Sequence, residues 1–485
     1  MMKTRNMILV GILALLVFLT ACEDFLYREP RLSQTKELTL SKYEGLEAGV
    51  IGAYALIYDT WWYGRDFVVF ADMRGGNAKI GPISSGRYYT EYLWNNTPQA
   101  TAWLWQDAYI VIARANNVLE VIEGGFEEPG VEQEDLDVLA GECKFLRALA
   151  HFDLARMFCQ PITQGTGANQ LGVPVVLRTE NALPARNTLG EVYEQILKDL
   201  LDAEEDLPLT PARAGSDPKA WATKYTAQAL LARVYLYMGN WQKAAEYASK
   251  VIDSGKFPLY TAAQYTTWDK DGVWGIDAAP EIIFEVYGAE GNAAHNNWDG
   301  MAYISNPTGY GDVAASKDVY DLFEDGDVRK GMFRNHPPDY VDALWSLKYP
   351  GKAPEGSIRI ENIPVLRVSE MYLTRAEAIK NGASVSGVTA LSDINEIRNH
   401  RNATPYVGDV TLEDIYKERR MELNFEGHEV YDLSRTGRSL TRVDFDGAVN
   451  RNIPFPDYRW ALPIPQQEMD ANENMVQNPG YAGTE

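Results

Sequence analysis

The sequence is poor in the residues that build metal centres and disulfide frameworks. Its 485 residues include three cysteines and five scattered histidines, which form neither a cysteine framework nor a metal-binding cluster. Acidic residues outnumber basic ones by 68 to 45, so the formal net charge is −23. An acidic surface repels phosphate backbones and anionic lipid headgroups, which argues against nucleic-acid binding and electrostatic membrane docking. We therefore predict no metal, no cofactor and no nucleic-acid partner.

Long hydrophobic runs are also scarce, apart from one at the amino terminus. An apolar run from Met7 to Phe18 follows Lys3 and Arg5, as in a secretory signal peptide. As a helix, residues 7–21 would span ~22 Å, less than the ~30 Å hydrocarbon core of a bilayer. The run ends in Leu19-Thr20-Ala21-Cys22, a pattern typical of the lipobox of bacterial lipoproteins. We predict cleavage after residue 21 and lipidation of Cys22; the alternative is an ordinary signal peptide with a chance cysteine.

The other two cysteines, Cys143 and Cys159, fall on or beside one predicted helix. Sixteen helical residues separate α-carbons by ~24 Å, whereas a disulfide needs them within ~7 Å. No CxxC motif accompanies them. They are predicted to be buried free thiols.

Helical periodicity dominates the rest of the chain. The clearest hairpin joins Thr223–Met238 to Trp241–Ser254 through Gly239-Asn240. Small residues recur on its second helix, which is typical of a tetratricopeptide-type pair. A second hairpin is predicted from Glu370–Lys380 and Ser386–Arg398; a plain helical bundle is the alternative. Further helices are predicted at Asp107–Glu123, Gly141–Phe158 and Leu189–Glu205.

Aromatic residues concentrate in two loop-rich segments, about 58–103 and 289–312. Between Tyr54 and Tyr109 there are fourteen Phe, Tyr or Trp in 56 residues. Flat aromatic faces stack on the C–H face of a sugar ring, and neighbouring Asn, Asp and Arg bind its hydroxyls. We predict an exposed loop for Tyr88, Tyr89 and Trp94, and core positions for Trp61, Trp103 and Trp105. The alternative for Tyr88, Tyr89 and Trp94 is burial in the core, where Trp and Tyr lie on average.

The candidate ligand contacts combine both segments, with Trp94 and Trp298 as the leading stacking pair. They are Asp72, Arg74, Tyr88, Tyr89, Trp94, Asn95, Asn96, Trp298, Tyr303 and Tyr310.

Two other charged motifs do not indicate catalysis or metal binding. His428-Glu429 lacks the second histidine of a zinc protease, and the charges from Glu418 to Glu426 instead predict an ion-paired helix ending at Gly427. The stretch Asp269–Gly272 lacks the glutamate of a calcium loop, since Pro280 occupies that position. Acidic residues are abundant, but no pair is marked for glycoside hydrolysis, so we predict no catalytic residues.

The order of several short motifs resembles the SusD/RagB family of outer-membrane lipoproteins. The resemblance begins at Cys22-Glu-Asp-Phe-Leu and includes Trp105-Gln-Asp-Ala-Tyr109 and Glu142-Cys-Lys-Phe-Leu-Arg-Ala148. It continues with Glu418-Arg-Arg-Met-Glu422 and ends in Gln477-Asn-Pro-Gly-Tyr481. Each motif is short, but their order extends across some 460 residues.

This resemblance implies a mainly α fold, in which four irregular tetratricopeptide-like hairpins support a loop-rich ligand-binding half. It divides the chain into a signal peptide (1–21), a lipidated tether (22–40) and a single SusD-like domain (41–485). It also implies a surface-exposed lipoprotein that captures glycans for a SusC-like, TonB-dependent barrel. The alternatives are capture of another nutrient such as peptides, a glycan-degrading enzyme, and an adaptor that only braces the transporter.

Overall fold

The computed structural model describes residues 36–101, 103–213, 217–269, 271–289, 299–336, 340–352 and 358–481. They belong to two units, one ending at Glu47 and the other beginning at Ala48. Apart from the first helix, the start of the second and the proposed lipid anchor, everything below concerns the second unit. Predictions for the signal peptide, Cys22 and Trp298 lie outside the described residues. Among the helices within these ranges, none is long and apolar enough to cross a bilayer.

The helices account for most of the regular structure. In chain order they are α1 Lys36–Thr39, α2 Tyr43–Ile57, α3 Asp66–Gly75, α4 Tyr89–Tyr92, α5 Trp103–Glu123, α6 Gln133–Phe158, α7 Leu189–Asp206, α8 Lys224–Tyr237, α9 Trp241–Asp253, α10 Ala262–Tyr265, α11 Met301–Ile304, α12 Lys317–Tyr320, α13 Val368–Lys380, α14 Ala390–His400, α15 Leu412–Leu423, α16 Glu429–Arg435 and α17 Gln466–Ala471.

The predicted helix pair 223–254 is confirmed as α8 and α9. The side chain of Thr223 caps α8, and Asn240 Oδ1 accepts a hydrogen bond from the amide of Lys243 at the start of α9. Gly239 between them has a φ of +68°, a left-handed conformation that glycine adopts without strain. Local capping and turn residues therefore define this pair.

The second predicted pair is confirmed as α13 and α14, although α14 begins at Ala390, after the cap Thr389, and not at Ser386. Successive long helices pack in chain order, α5 on α6, α6 on α7, α7 on α8 and α8 on α9, and α9 then packs on α13. This confirms the mainly α class. The tetratricopeptide-like assignment of the pairs stays a prediction.

Within the described residues, six short strands, which sequence reasoning did not predict, join distant parts of the chain. They are β1 Ala78–Ile80, β2 Ile282–Val286, β3 Val313–Ala315, β4 Phe333–His336, β5 Tyr340–Ser346 and β6 Ile363–Arg367. They form a sheet in the order β1-β3-β5-β4 and an antiparallel pair β2-β6. In the first sheet Ala78 lies opposite Ala315, so the segment after α3 is fixed against the segment before α12.

A network of buried ion pairs fixes the helical half. Glu422 on α15 accepts hydrogen bonds from Arg329, Arg367 and Arg401, at 3.0, 2.7 and 2.8 Å. Arg367 also binds Glu426, with Nε to Oε2 at 2.6 Å. The predicted helix ending at Gly427 is therefore corrected in two respects: α15 ends at Leu423, and its carboxylates pair with other elements.

Candidate functional site

The two aromatic segments singled out in the sequence lie together in the structure. The β1–β3 pairing aligns them, and the amide of Gly81 donates to the carbonyl of Asp312 at 2.8 Å. A side chain at position 81 would place its Cβ 1.9 Å from the carbonyl oxygen of Gly311. The close approach of these two segments therefore depends on Gly81.

Arg87 connects the two segments with both arms of its guanidinium. Nη2 lies 2.7 Å from Asp299 Oδ1 and Nη1 lies 3.1 Å from Asp312 Oδ2. Its guanidinium also lies 4.5 Å from the centroid of the Tyr310 ring. Burial lowers the pKa of Arg87, but the two aspartates outweigh it and raise that pKa overall. This cation thus orients Tyr310 while holding the segments together.

Five of the predicted contact residues are buried in the protein interior. Asp72 accepts hydrogen bonds from Asn77 Nδ2 and from the amide of Phe425, at 2.8 and 2.9 Å. Arg74 donates to Asn96 Oδ1 at 2.6 Å. These contacts hold the loop in place, and the five residues are Asp72, Arg74, Tyr88, Trp94 and Asn96.

The expected exposure of Tyr88 and Trp94 is wrong. Trp94 is 2% exposed, because the Arg74 guanidinium lies 3.6 Å from its ring and Trp460 packs edge-on at 4.7 Å. Tyr88 is also buried, with its hydroxyl 2.8 Å from Asp66 Oδ1. Neither ring offers an open face to a sugar.

The remaining predicted contacts lie nearer the surface. Tyr89 is 49% exposed and Tyr310 is 36% exposed, Asn95 is exposed, and Tyr303 is half-buried. Tyr303 and Tyr310 pack edge to face, with ring centroids 5.0 Å apart. The structure thus brings Tyr303 and Tyr310 close to Arg87 and its two aspartate partners, which together we call the Arg87 clamp.

Of the three predicted core tryptophans, Trp105 is buried, as predicted, and the side chain of Trp103 lies outside the described residues. Trp61 differs: it is 41% exposed. Helical spacing placed it in the core, but the residue follows α2 and precedes α3 in a turn. The core prediction for Trp61 is wrong.

A cavity of about 460 Å³ opens beside these tyrosines. One wall is the segment Ser305–Thr308, between Tyr303 and Tyr310, and another is formed by Trp345 to Leu347 at and beyond the end of β5. Trp268 forms the third wall. Its ring is nearly parallel to that of Trp274, with an interplanar angle of 11° and ring centroids 6.4 Å apart. We call the cavity together with the segment Tyr303–Tyr310 the cavity face.

Polar groups are distributed around the aromatic wall. Asp269, Asn306, Arg334 and Asn335 line the cavity. Ser305 Oγ is buried and has no hydrogen-bond partner among the described residues. An apolar wall with a few convergent polar groups is typical of a small-molecule site, and a buried hydroxyl without a partner favours a ligand or water there.

Sequence reasoning missed Trp268, Arg334 and Asn335. Trp268 directly precedes Asp269, and the sequence around Asp269 was considered only as a possible calcium loop. Within the described ranges, no group of three or more His, Cys, Asp or Glu side chains could hold a metal ion. The arrangement combines an aromatic wall with amide, carboxylate and guanidinium groups, which suits a ligand with an apolar face and several hydrogen-bonding groups.

The buried thiols and His428 lie outside this face and are inert. Burial raises the pKa of Cys159 to about 11 and that of Cys143 further, and both cysteines are free and buried, as predicted. Burial, followed by Arg233 and Arg419, holds the pKa of His428 well below its usual value. His428 is therefore neutral at physiological pH and part of the scaffold.

Comparison with known proteins identifies the family. A family model described as "Starch-binding associating with outer membrane" matches residues 24–236, and a SusD family model matches residues 336–481. A solved structure of a putative sugar binding protein from Bacteroides vulgatus ATCC 8482 is 30% identical, with a TM-score of 0.80, over 90% of this chain and 98% of that chain.

Two related proteins extend the match. SusD-like protein P2 of Formosa agariphila is 26% identical over 97% of this chain and 99% of that protein. The starch-binding protein SusD of Bacteroides thetaiotaomicron is 26% identical over 81% and 80% of the two chains. The chain belongs to the SusD family. Of these proteins, the Bacteroides vulgatus structure and the Bacteroides thetaiotaomicron relative are named for sugar binding and starch binding.

Proposed function

We propose that this protein binds oligosaccharides or polysaccharides at the cavity face and delivers them to a SusC-like, TonB-dependent transporter. The observation that carries the proposal is the composition of the cavity, in which half-buried Trp268 faces solvent-accessible amide, carboxylate and guanidinium groups. The names of the sugar-binding and starch-binding relatives support the same class of ligand. The role is capture without cleavage.

Sugar chemistry fits this lining in two ways. The C–H face of a pyranose is apolar and gains from contact with the Trp268 indole, whose other neighbours, Tyr265 and Trp274, fix its orientation. The hydroxyl groups act as both donors and acceptors, and Asn306 and Arg334 supply complementary groups. A half-open cavity of about 460 Å³ has room for about one or two sugar units.

A longer glycan extends from the cavity over the neighbouring tyrosines. Tyr310 and Tyr303 adjoin the cavity wall, and Tyr89 belongs to the segment fixed by Arg87. We propose that Tyr89, Tyr303 and Tyr310 contact such a ligand, with Trp298 on the same insertion. Asp72, Arg74 and Trp94 then act by positioning the loop. Many weak contacts along a polymer combine into useful avidity.

The amino terminus supplies the proposed location. Lipidation of Cys22 would anchor the protein, since two or more acyl chains hold a protein stably on a membrane. The family resemblance favours the outer membrane and an outward orientation, where captured glycan is passed to the barrel.

The glycan proposal is tested by native affinity electrophoresis of residues 33–485 through gels that contain plant, host or microbial polysaccharides. We expect one polymer to retard the protein and to keep its length on prolonged incubation. Trp268→Ala should weaken this binding at least tenfold, because the stacking surface is lost. Trp241→Ala, which removes a half-buried tryptophan on α9, is the matched control and should bind normally.

Retardation that persists unchanged in folded Trp268→Ala protein would contradict the proposed site. Shortening of the polymer would contradict a role without catalysis. Retention by peptides but by no polysaccharide would replace the glycan proposal with peptide capture.

The anchor and partner are tested in cells. Cys22→Ala should abolish labelling by a fatty-acid analogue and release the protein from the outer membrane. Purification of the wild-type protein from mild detergent should recover a TonB-dependent barrel. Membrane retention of unlabelled Cys22→Ala protein would contradict the lipid anchor.

A further inference from the structure

A second groove lies apart from the cavity face, at the carboxy-terminal motif that the proposed function does not use. It has a volume of about 470 Å³ and is formed where the segment after α6 meets residues 455–461 and 478–479. None of the cavity-face residues lines it. Its principal side chains are Gln160, Gln164, Gln170, Phe455 and Tyr458.

Two glutamines in this groove have fixed orientations. Gln160 Nε2 donates to the carbonyls of Asp457 and Tyr458, at 3.1 and 3.0 Å. Gln170 Nε2 donates to the carbonyls of Gln160 and Pro161, at 3.0 and 2.9 Å. Since both hydrogens of each amide are used, each side chain has only its Oε1 left, as an acceptor. No donor within the described ranges is bonded to either oxygen.

Tyr458 provides an aromatic surface in the same groove. It is 46% exposed and packs edge-on against Tyr481, with ring centroids 5.0 Å apart. Gly480 has a φ of +89°, and a Cβ there would lie 2.4 Å from the Tyr458 ring. Only glycine permits this approach, so the motif Asn478-Pro-Gly-Tyr481 holds Tyr458 in its exposed position.

The charge of the groove is balanced. Its one charged lining residue in the described chain, Asp457, is paired with Arg459 through both carboxylate oxygens, each at 2.9 Å. A cation would find no unpaired negative charge here. A proline-rich peptide would need a row of donors for its carbonyls, whereas the fixed amides of Gln160 and Gln170 present acceptors and only Gln164 and Tyr458 add a side-chain donor among the lining residues described. The remaining match is a neutral ligand with hydroxyl donors and an apolar face.

We propose that this groove is a second subsite, independent of the cavity face, for one neutral pyranose unit. The ring's C–H face lies on Tyr458, and its hydroxyl groups donate to Oε1 of Gln160 and Gln170. A polysaccharide long enough to reach both places is held twice by one protein molecule, which raises its avidity without tightening either site.

The test uses saturation-transfer NMR with methyl β-D-glucopyranoside, methyl β-D-galactopyranoside and methyl α-D-mannopyranoside as probes, and glycerol as the acyclic control. The protein is residues 33–485 carrying Trp268→Ala, which removes the main stacking surface of the cavity. We expect transfer to at least one pyranoside to persist and to fall about fivefold on adding Tyr458→Ala, the loss of about 1 kcal/mol of stacking. Gly480→Ala should act in the same direction, because it displaces the Tyr458 ring.

Tyr372→Ala, a half-buried tyrosine on α13, is the control and should leave transfer unchanged. Circular dichroism verifies that each variant is folded. No transfer in the Trp268→Ala protein, equal transfer to glycerol, or transfer unaffected by Tyr458→Ala would overturn the subsite. None of these outcomes bears on retention by the wild-type cavity face, so the two proposals fail separately.

Discussion

Glu422 in the helical half and Asp72 in the aromatic segment are both buried carboxylates, but their partners differ. Burial raises the pKa of Glu422, yet Arg401, Arg367 and Arg329 outweigh it and hold that pKa well below its usual value. Asp72 on α3 is held mainly by neutral donors, Asn77 and the Phe425 amide, and burial raises its pKa to about 7.

Glu361 follows the second pattern. Its Oε1 accepts a hydrogen bond from the amide of Ala302, in the helix that precedes the cavity wall, at 3.0 Å. Burial raises the pKa of Glu361 to about 7, against the lowering effect of that amide. A guanidinium partner keeps a buried acid charged at any physiological pH, whereas an amide partner leaves it titrating near neutrality. At physiological pH Glu422 therefore stays charged, whereas Asp72 and Glu361 titrate near neutrality.

The largest expected effect comes from breaking the scaffold network. Glu422→Gln keeps the shape of the side chain but leaves three buried arginines without their shared charge. We expect the free energy of unfolding to fall by about 3–5 kcal/mol, measured by urea denaturation. Glu413→Gln, at an exposed position on the same helix, should change it by no more than about 0.5 kcal/mol. Equal effects of the two substitutions would show that burial and pairing do not distinguish the sites.

A smaller effect on the free energy of unfolding is expected from the titration of Asp72. Because its folded-state pKa of about 7 lies above the unfolded value, the folded protein binds more protons between about pH 4 and 7. Stability should therefore fall as pH rises through this window, by at most roughly 4 kcal/mol for three pKa units. Asp72→Asn should remove much of this decline, measured as urea unfolding at pH 5 and 8.

The pH dependence of stability should have the opposite sign for Glu422. Since its folded-state pKa is lowered, its contribution is complete above about pH 4.5 and is lost only as pH falls below that value. Asp470→Asn, at an exposed position on α17, is the control for Asp72→Asn. An unchanged slope in the Asp72→Asn protein would contradict the assigned titration.

The smallest effect on stability is expected at the Arg87 clamp. Arg87 is partly exposed, so Arg87→Ala should cost about 1 kcal/mol or less. Its local effect should be larger, because the two loop segments lose a shared partner. Hydrogen exchange should accelerate in residues 84–89 and 305–310, while α8 and α9 stay protected. Arg87→Lys retains the charge but not the two-armed geometry and should give an intermediate rate. Uniform acceleration across the protein would contradict a local clamp.

The helices were predictable because their signals are local. Thr223, Gly239 and Asn240 mark the ends of α8 and α9 within the sequence itself. The first turns of α6 were missed because Gln133 to Asp137 are mostly charged, although Leu136 and Leu139 are buried. Two apolar residues at helical spacing are too few to predict a helix in such a charged segment.

The site was less predictable because its contacts cross long sequence distances. The two aromatic segments could be identified from composition, yet the burial of Trp94 depends on Trp460, and β1 finds its partner at residues 313–315. Trp268, Asn306 and Trp345 meet only in three dimensions. Composition identified the two aromatic segments, but only the tertiary fold determines which of their rings are exposed.

The most direct test of the central claim, that the cavity face and not the helical scaffold binds glycan, is a hydrogen-exchange footprint with the oligosaccharide derived from the retarding polymer. The account predicts slower exchange in residues 265–269 and 303–310, with no change in α8, α9, α13 and α14. Protection confined to those helices, or protection that leaves residues 303–310 unchanged, would contradict it.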